Sequence, residues 1–112
     1  MSTIRQNKVS RVLQREMGEL MRAESRNFSR QALISVTQVR ISPDLGMAKI
    51  YLSIFGVENK QELLETINLH RREIRGKMGQ RLRNQFRKIP EFVFYLDDSM
   101  DYYENIEKLL EQ

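Results

Sequence analysis

The sequence predicts a single α+β domain in which helices cover one face of a three-stranded sheet. Apolar residues switch between helical and alternating spacing along the chain, in the order α-β-β-α-α-β followed by a short terminal helix. The length of 112 residues fits one domain spanning 1–112, and a chain of this size buries about two-thirds of its unfolded surface. No internal repeat or Pro/Gly-rich linker divides it, and Pro43 and Pro90 are its main punctuation.

The first helix is expected over residues 7–24. Val9, Val12, Leu13, Met17, Leu20 and Met21 form one stripe, and Asn7 is a plausible N-cap. Arg11, Arg15 and Arg22 lie off that stripe. Residues 33–41 are β-branched and change phase, Ile34 and Val36 against Val39 and Ile41, so a bulge near Thr37-Gln38 is expected. A turn follows at Ser42-Pro43-Asp44-Leu45-Gly46, with Pro fixing φ and Gly allowing a positive one. Residues 47–55 form the second strand, Ala48, Ile50, Leu52 and Ile54 on one face and Lys49, Tyr51 and Ser53 on the other. The two strands suit an antiparallel hairpin.

Gly56 ends the second strand, and Asn59 with Glu62 reads as a reciprocal helix cap. Helical spacing runs from Leu63 to Phe86, too long for an average helix. A break is expected either at His70-Arg71-Arg72 or at Gly76 and Gly79. After Pro90, residues 91–97 form the third strand, Phe92, Phe94 and Leu96 against Val93 and Tyr95. Residues 99–111 read as an amphipathic helix capped by Ser99 or Asp101, with Tyr102, Ile106, Leu109 and Leu110 on its apolar side.

Composition excludes several chemistries. The chain has no cysteine, which removes disulfides, thiolate metal sites and thiol nucleophiles. Its one histidine, His70, leaves no His-based triad or metal cluster. Asp97, Asp98 and Asp101 could hold a hard cation, but carboxylates at a helix start are read first as caps. No acid/base pair, nucleophile constellation or phosphate-cradling Gly-rich loop is present. A binding protein is therefore expected rather than an enzyme, with no metal, cofactor or small-molecule substrate. No apolar run reaches the ~20 residues of a membrane span. Residues 1–8 are not followed by the apolar segment of a secretory signal, so a cytoplasmic location is expected.

Charge is the informative feature. Nineteen Lys and Arg against 15 Asp and Glu give a net +4. Residues 71–88 hold eight basic residues and one acidic, net +7, while residues 89–112 hold one basic and seven acidic, net −6. A charge run is usually a solvated face. Eight cations against one anion exceed what i,i+4 pairing neutralises, which favours a polyanion partner. Arg71, Arg72, Arg75, Lys77, Arg81, Arg83, Arg87 and Lys88 are expected to share a helix with Ile74, Met78, Leu82 and Phe86, whose apolar side docks on the sheet. Guanidinium forks match phosphates, so this helix is the candidate nucleic-acid grip, helped by Lys8, Arg11 and Arg15. His70 is read as a helix-surface or kink residue with room for a phosphate contact. Gly76-Lys77-Met78-Gly79 fits the Gly-x-x-Gly loop of KH domains, but Met78 keeps the apolar phase. Two small residues that let the helix pack closely is the favoured reading.

Three stretches carry a family resemblance: Val9-Ser10-Arg11-Val12-Leu13-Gln14-Arg15-Glu16-Met17, the hairpin from Val39 to Ser53 with Ser42-Pro43-Asp44-Leu45-Gly46-Met47-Ala48, and Ile89-Pro90-Glu91-Phe92-Val93-Phe94-Tyr95-Leu96-Asp97-Asp98-Ser99. Together they resemble ribosome-binding factor A over nearly the whole chain. The resemblance implies a type II KH-like fold. It also implies a role in ribosome biogenesis: binding to the 30S ribosomal subunit and its 16S rRNA in late maturation, assistance to rRNA processing at the 5′ end, and cold adaptation. A monomer is expected. The family kinks between its second and third helices at Ala-x-Gly, where this chain has His70-Arg71-Arg72. A few residues are added before Pro90, and contacts that depend on the long C-terminal tail of some members are not expected. The rival readings are a general KH-type nucleic-acid-binding or chaperone module, and a protein-interaction module whose acidic end, residues 97–111, binds a basic ribosomal protein.

Overall fold

A computed structural model describes residues 3–97 of the chain. Its elements are α1 (Ile4–Phe28), β1 (Leu33–Ile41), β2 (Met47–Phe55), α2 (Lys60–Leu69), α3 (Arg71–Leu82) and β3 (Glu91–Leu96). This is the expected order α-β-β-α-α-β. The terminal helix expected over 99–111 lies outside the described residues, as do Asp98 and Asp101.

Helix α1 begins three residues before the expected start. Thr3, not Asn7, is its cap: the Thr3 hydroxyl accepts the Gln6 amide at 3.1 Å and the Gln6 side chain accepts the Thr3 amide at 2.9 Å. This is a reciprocal capping box. Apart from Ile4, which is exposed, the first turn is polar, so apolar spacing does not mark it. Gln6 is nonetheless buried, and its amide donates to the Ile41 carbonyl at 3.3 Å.

β1 and β2 pair antiparallel and β3 joins β2 in parallel, giving the order β1-β2-β3. The register shifts between Val36 and Gln38. Thr37 is the extra residue, and its hydroxyl donates to Tyr51 O at 3.3 Å and to the Asp97 carboxylate at 2.6 Å. The bulge turns Val39 and Ile41 to the same side as Ile34 and Val36. The hairpin turn departs from expectation, because the positive φ belongs to Leu45 (61°) and not to Gly46. Asp44 organises that turn by accepting from the Ser42 hydroxyl at 2.6 Å and the Gly46 amide at 2.9 Å. Those two donors, with Lys88 as a weaker cause, hold its carboxyl below the usual aspartate value. After β2, Gly56 has φ +91, and a Cβ there would lie 2.5 Å from the Gln31 carbonyl oxygen, so no side chain fits.

The core lies between the helices and one sheet face. Leu13, Met17 and Met21 of α1, Ile67 of α2 and Ile74, Met78 and Leu82 of α3 close over Ile34, Ala48, Ile50, Leu52, Phe92 and Phe94. Asn68 ties α2 to β3: its side chain accepts the Phe94 amide at 2.9 Å and donates to the Phe94 carbonyl at 3.0 Å.

Candidate nucleic-acid interface

The break between the two middle helices falls at His70. The Asn59 side chain accepts the Glu62 amide at 3.0 Å to start α2, and the His70 amide closes it onto the Ile67 carbonyl at 3.0 Å. His70 Nδ1 lies 2.9 Å from the Thr66 carbonyl, an acceptor, so this nitrogen carries the proton. The ring sits edge-on to Phe28 at 5.6 Å. A capped carbonyl and an aromatic contact thus mark the kink at His70-Arg71-Arg72, where the resemblance implied Ala-x-Gly. His70 is half-buried in that joint.

Helix α3 runs unbroken through Gly76 and Gly79, so Gly-Lys-Met-Gly is helix and not loop. Close packing does not explain Gly76, since an added Cβ would meet nothing within 4 Å. A Cβ added at Gly79 would meet Ile89 at an ordinary 3.6 Å. The helix ends at Leu82, earlier than its apolar spacing predicts. Arg83, Arg87 and Lys88 therefore stand on the loop that returns to β3, not on the expected long helix.

That return forms the site. An open groove of about 780 Å³ lies between the first half of α3 and the loop, lined by Arg71, Arg72, Arg75, Gly76, Arg87, Lys88 and Ile89, with Met47, Glu91, Phe92 and Val93 along the sheet edge. Five cations there face one acid, Glu91. A cleft lined by one sign of charge concentrates the field at its mouth. A second groove of about 410 Å³ shares Arg87 and Lys88 and adds Arg5, Val9, Asp44 and Pro90. Sequence reasoning missed Arg5, although it lies one turn before Val9 on α1.

The candidate cations divide by partner. Among the described residues, the side chains of Arg71, Arg72, Arg83 and Arg87 have no hydrogen bond or ion pair, nor do those of Lys8 and Arg11 on α1. Arg75 is a latch: Nη2 donates to Ile89 O at 2.8 Å and Nε to Pro90 O at 3.2 Å, pinning the loop's end to α3. Lys77 pairs with Glu24 at 2.8 Å. Arg81 reaches Glu16 at 3.4 Å and Glu19 at 3.1 Å. Arg15 sits 3.6 Å from Glu16. The Lys77 ammonium, helped by the Asn27 amide, holds the Glu24 carboxyl below its ordinary value of 4.5. Lys8, Arg11 and Arg15 do not line the α3 groove. The described residues contain no group of His, Asp and Glu able to hold a metal. Among them no helix is long and apolar enough to cross a membrane.

The profile of the family described as "Ribosome-binding factor A" matches residues 5–110. The chain belongs to this family. A member from Cytophaga hutchinsonii is 44% identical over 110 residues, covering 98% of this chain and 83% of that protein. One from Christiangramia forsetii is 40% identical over 107 residues, covering 95% and 82%. Solved structures agree on the fold. The crystal structure of the Thermus thermophilus ribosome-binding factor A superposes with a TM-score of 0.66 at 22% identity, over 81% of this chain and 94% of that one. A homology model of the same factor, fitted into a cryo-EM map of its 30S complex, gives 0.60 at 21% identity, over 78% and 93%. The expected family and α+β fold therefore hold, with the helix break at His70.

Proposed function

We propose that this chain is a non-catalytic assembly factor that binds the 30S ribosomal subunit through 16S rRNA during late maturation and assists processing at the rRNA 5′ end. It works as a monomer in the cytoplasm, and its absence is felt most in the cold. The observation that carries the reading is the α3 groove, in which Arg71, Arg72 and Arg87 stand without carboxylate partners among the described residues. Guanidinium groups left in this state exchange counterions for phosphate oxygens. The 30S complex of the Thermus thermophilus factor supports the choice of polyanion.

The test is binding of the purified chain to small-subunit precursor particles across a salt series. Log affinity should fall with log salt with a slope of about −0.7 per phosphate contact on single strands, so about −3 for the groove's free arginines with Lys88. A flat response overturns the electrostatic grip. Competition by free 30S particles, 70S ribosomes and duplex DNA separates a subunit factor from a general nucleic-acid chaperone, which would be displaced equally by all three. Footprinting of the precursor with and without the chain locates the contact. Accumulation of 5′-extended 16S rRNA in cells lacking the chain tests the processing role.

A further inference from the structure

We propose that the outer face of the sheet is a second RNA site, a stacking platform for unpaired bases built on Tyr51 and Tyr95. No described helix covers this face. Tyr51 and Tyr95 are register partners on β2 and β3, and their rings stack at 5.6 Å between centroids with 28° between planes. The Arg40 guanidinium lies 5.8 Å from the Tyr51 centroid, and the Lys49 ammonium lies 6.0 Å from that of Tyr95. Tyr95 is 40% exposed and Met47 on the same face 39%.

The mixture selects the partner. A protein-docking patch accepts Arg but is depleted in Lys at its centre. Here two cations stand over the rings themselves, and the acids, Glu91 and Asp97, lie at the two ends of β3, with Asp97 bonded by the Thr37 hydroxyl. Aromatic faces beside cations are what a single strand requires, with rings for bases and cations for phosphates. The platform also continues the proposed phosphate groove, because Met47 and Val93 line that groove and belong to this face. From Val93 to Tyr95 is two residues of strand, about 7 Å. A strand whose phosphates lie along Arg71 and Arg72 can turn over the β3 edge and lay its next bases on the tyrosines. The proposal rests on the groove reading for its phosphate anchor, and the test separates the two.

The full chain is titrated into labelled oligouridylate of about 12 nucleotides, within the usual site size of such surfaces, and into an abasic strand of equal length. The platform predicts tighter binding of the base-bearing strand. Tyr95→Ala and Tyr51→Ala should each weaken it by about fivefold or more, the lower end of base–aromatic stacking, and leave the abasic strand unchanged. Tyr95→Phe should restore binding, and Tyr95→Leu, which keeps the apolar surface, should not. Equal binding of both strands by the parent chain overturns the platform while the groove reading stands. Preference for the base-bearing strand with no salt dependence and no loss in Arg71→Ala/Arg72→Ala sustains the platform and overturns the groove. Binding of neither strand overturns both.

Discussion

On the flank of α3 that faces α1, Lys77 and Arg81 reach Glu24, Glu16 and Glu19 at 2.8–3.4 Å. On the flank that faces the returning loop, Arg71 and Arg72 reach no carboxylate among the described residues, and Arg87 arrives from the loop to join them. Arg71, Arg72, Lys77 and Arg81 lie on one helix of 12 residues and read alike in sequence. The difference comes from the neighbouring element. α1 brings three carboxylates, and the loop brings more cations. The +7 stretch is thus neutralised on one side and concentrated on the other, and a charge count along the chain sees neither.

The contrast can be broken at its strong side first. Replacing Arg71, Arg72 and Arg87 together by alanine should reduce affinity for small-subunit precursor at least tenfold and flatten the salt slope by about 2, or about 0.7 for each phosphate no longer held, with the circular dichroism spectrum unchanged. Equal loss from the Lys77/Arg81 pair would erase the distinction between flanks. Arg75 sharpens it from the side of stability. Arg75→Ala should cost about 1.5–3 kcal/mol in urea unfolding, the range for hydrogen bonds to a charged group, because two carbonyls lose their donor. Arg72→Ala in the same assay should stay within about 0.5 kcal/mol.

Gly76 gives a smaller and opposite-signed effect. Gly76→Ala should raise stability by about 0.5–1 kcal/mol, as expected for an exposed helical glycine, since the new methyl meets no protein atom. If RNA approaches the helix backbone there, the same methyl weakens binding, and an unchanged affinity would place the strand away from the groove floor. The smallest effect is on the neutralised flank. Glu16→Gln, Glu19→Gln and Glu24→Gln together should leave stability within about 1 kcal/mol, since the pairs are surface pairs, and steepen the salt slope by releasing Lys77 and Arg81. The Glu24 carboxyl should titrate below 4.5 by NMR and move upward in Lys77→Ala. Because its folded pKa is depressed, the stability it contributes is present above the ordinary carboxylate range and lost as pH falls through the folded value.

Much of the fold is legible because each strand or helix carries its own period. The phase change at Thr37 announces the bulge, and the alternation over 47–55 announces which face is buried. Reading fails where polar residues do structural work. The capping box at Thr3 and Gln6 precedes the first apolar residue of the stripe. The strained φ at the hairpin falls on Leu45, beside a glycine that is the more natural bearer. The end of α3 at Leu82 is hidden because Phe86 still packs on the core after the helix has stopped. Within the site, the sequence counts the cations of the loop correctly but assigns them to the wrong element. Arg75 cannot be told from its neighbours, because its partners are backbone carbonyls 14 and 15 residues away. Tyr51 and Tyr95 read as the outward phase of their strands, but their pairing depends on the parallel register, which no local pattern encodes.

The surplus residue in β1 makes chain length itself an encoded quantity. With Thr37 present, Ile34, Val36, Val39 and Ile41 all point into the core. Removing that single position would leave every remaining side chain chemically suited to a strand, yet one half of the strand would have to show its aliphatic residues to water while Gln38 and Arg40 turned inward. The protein therefore tolerates many exchanges of residue type along β1 more readily than a change of one in their number.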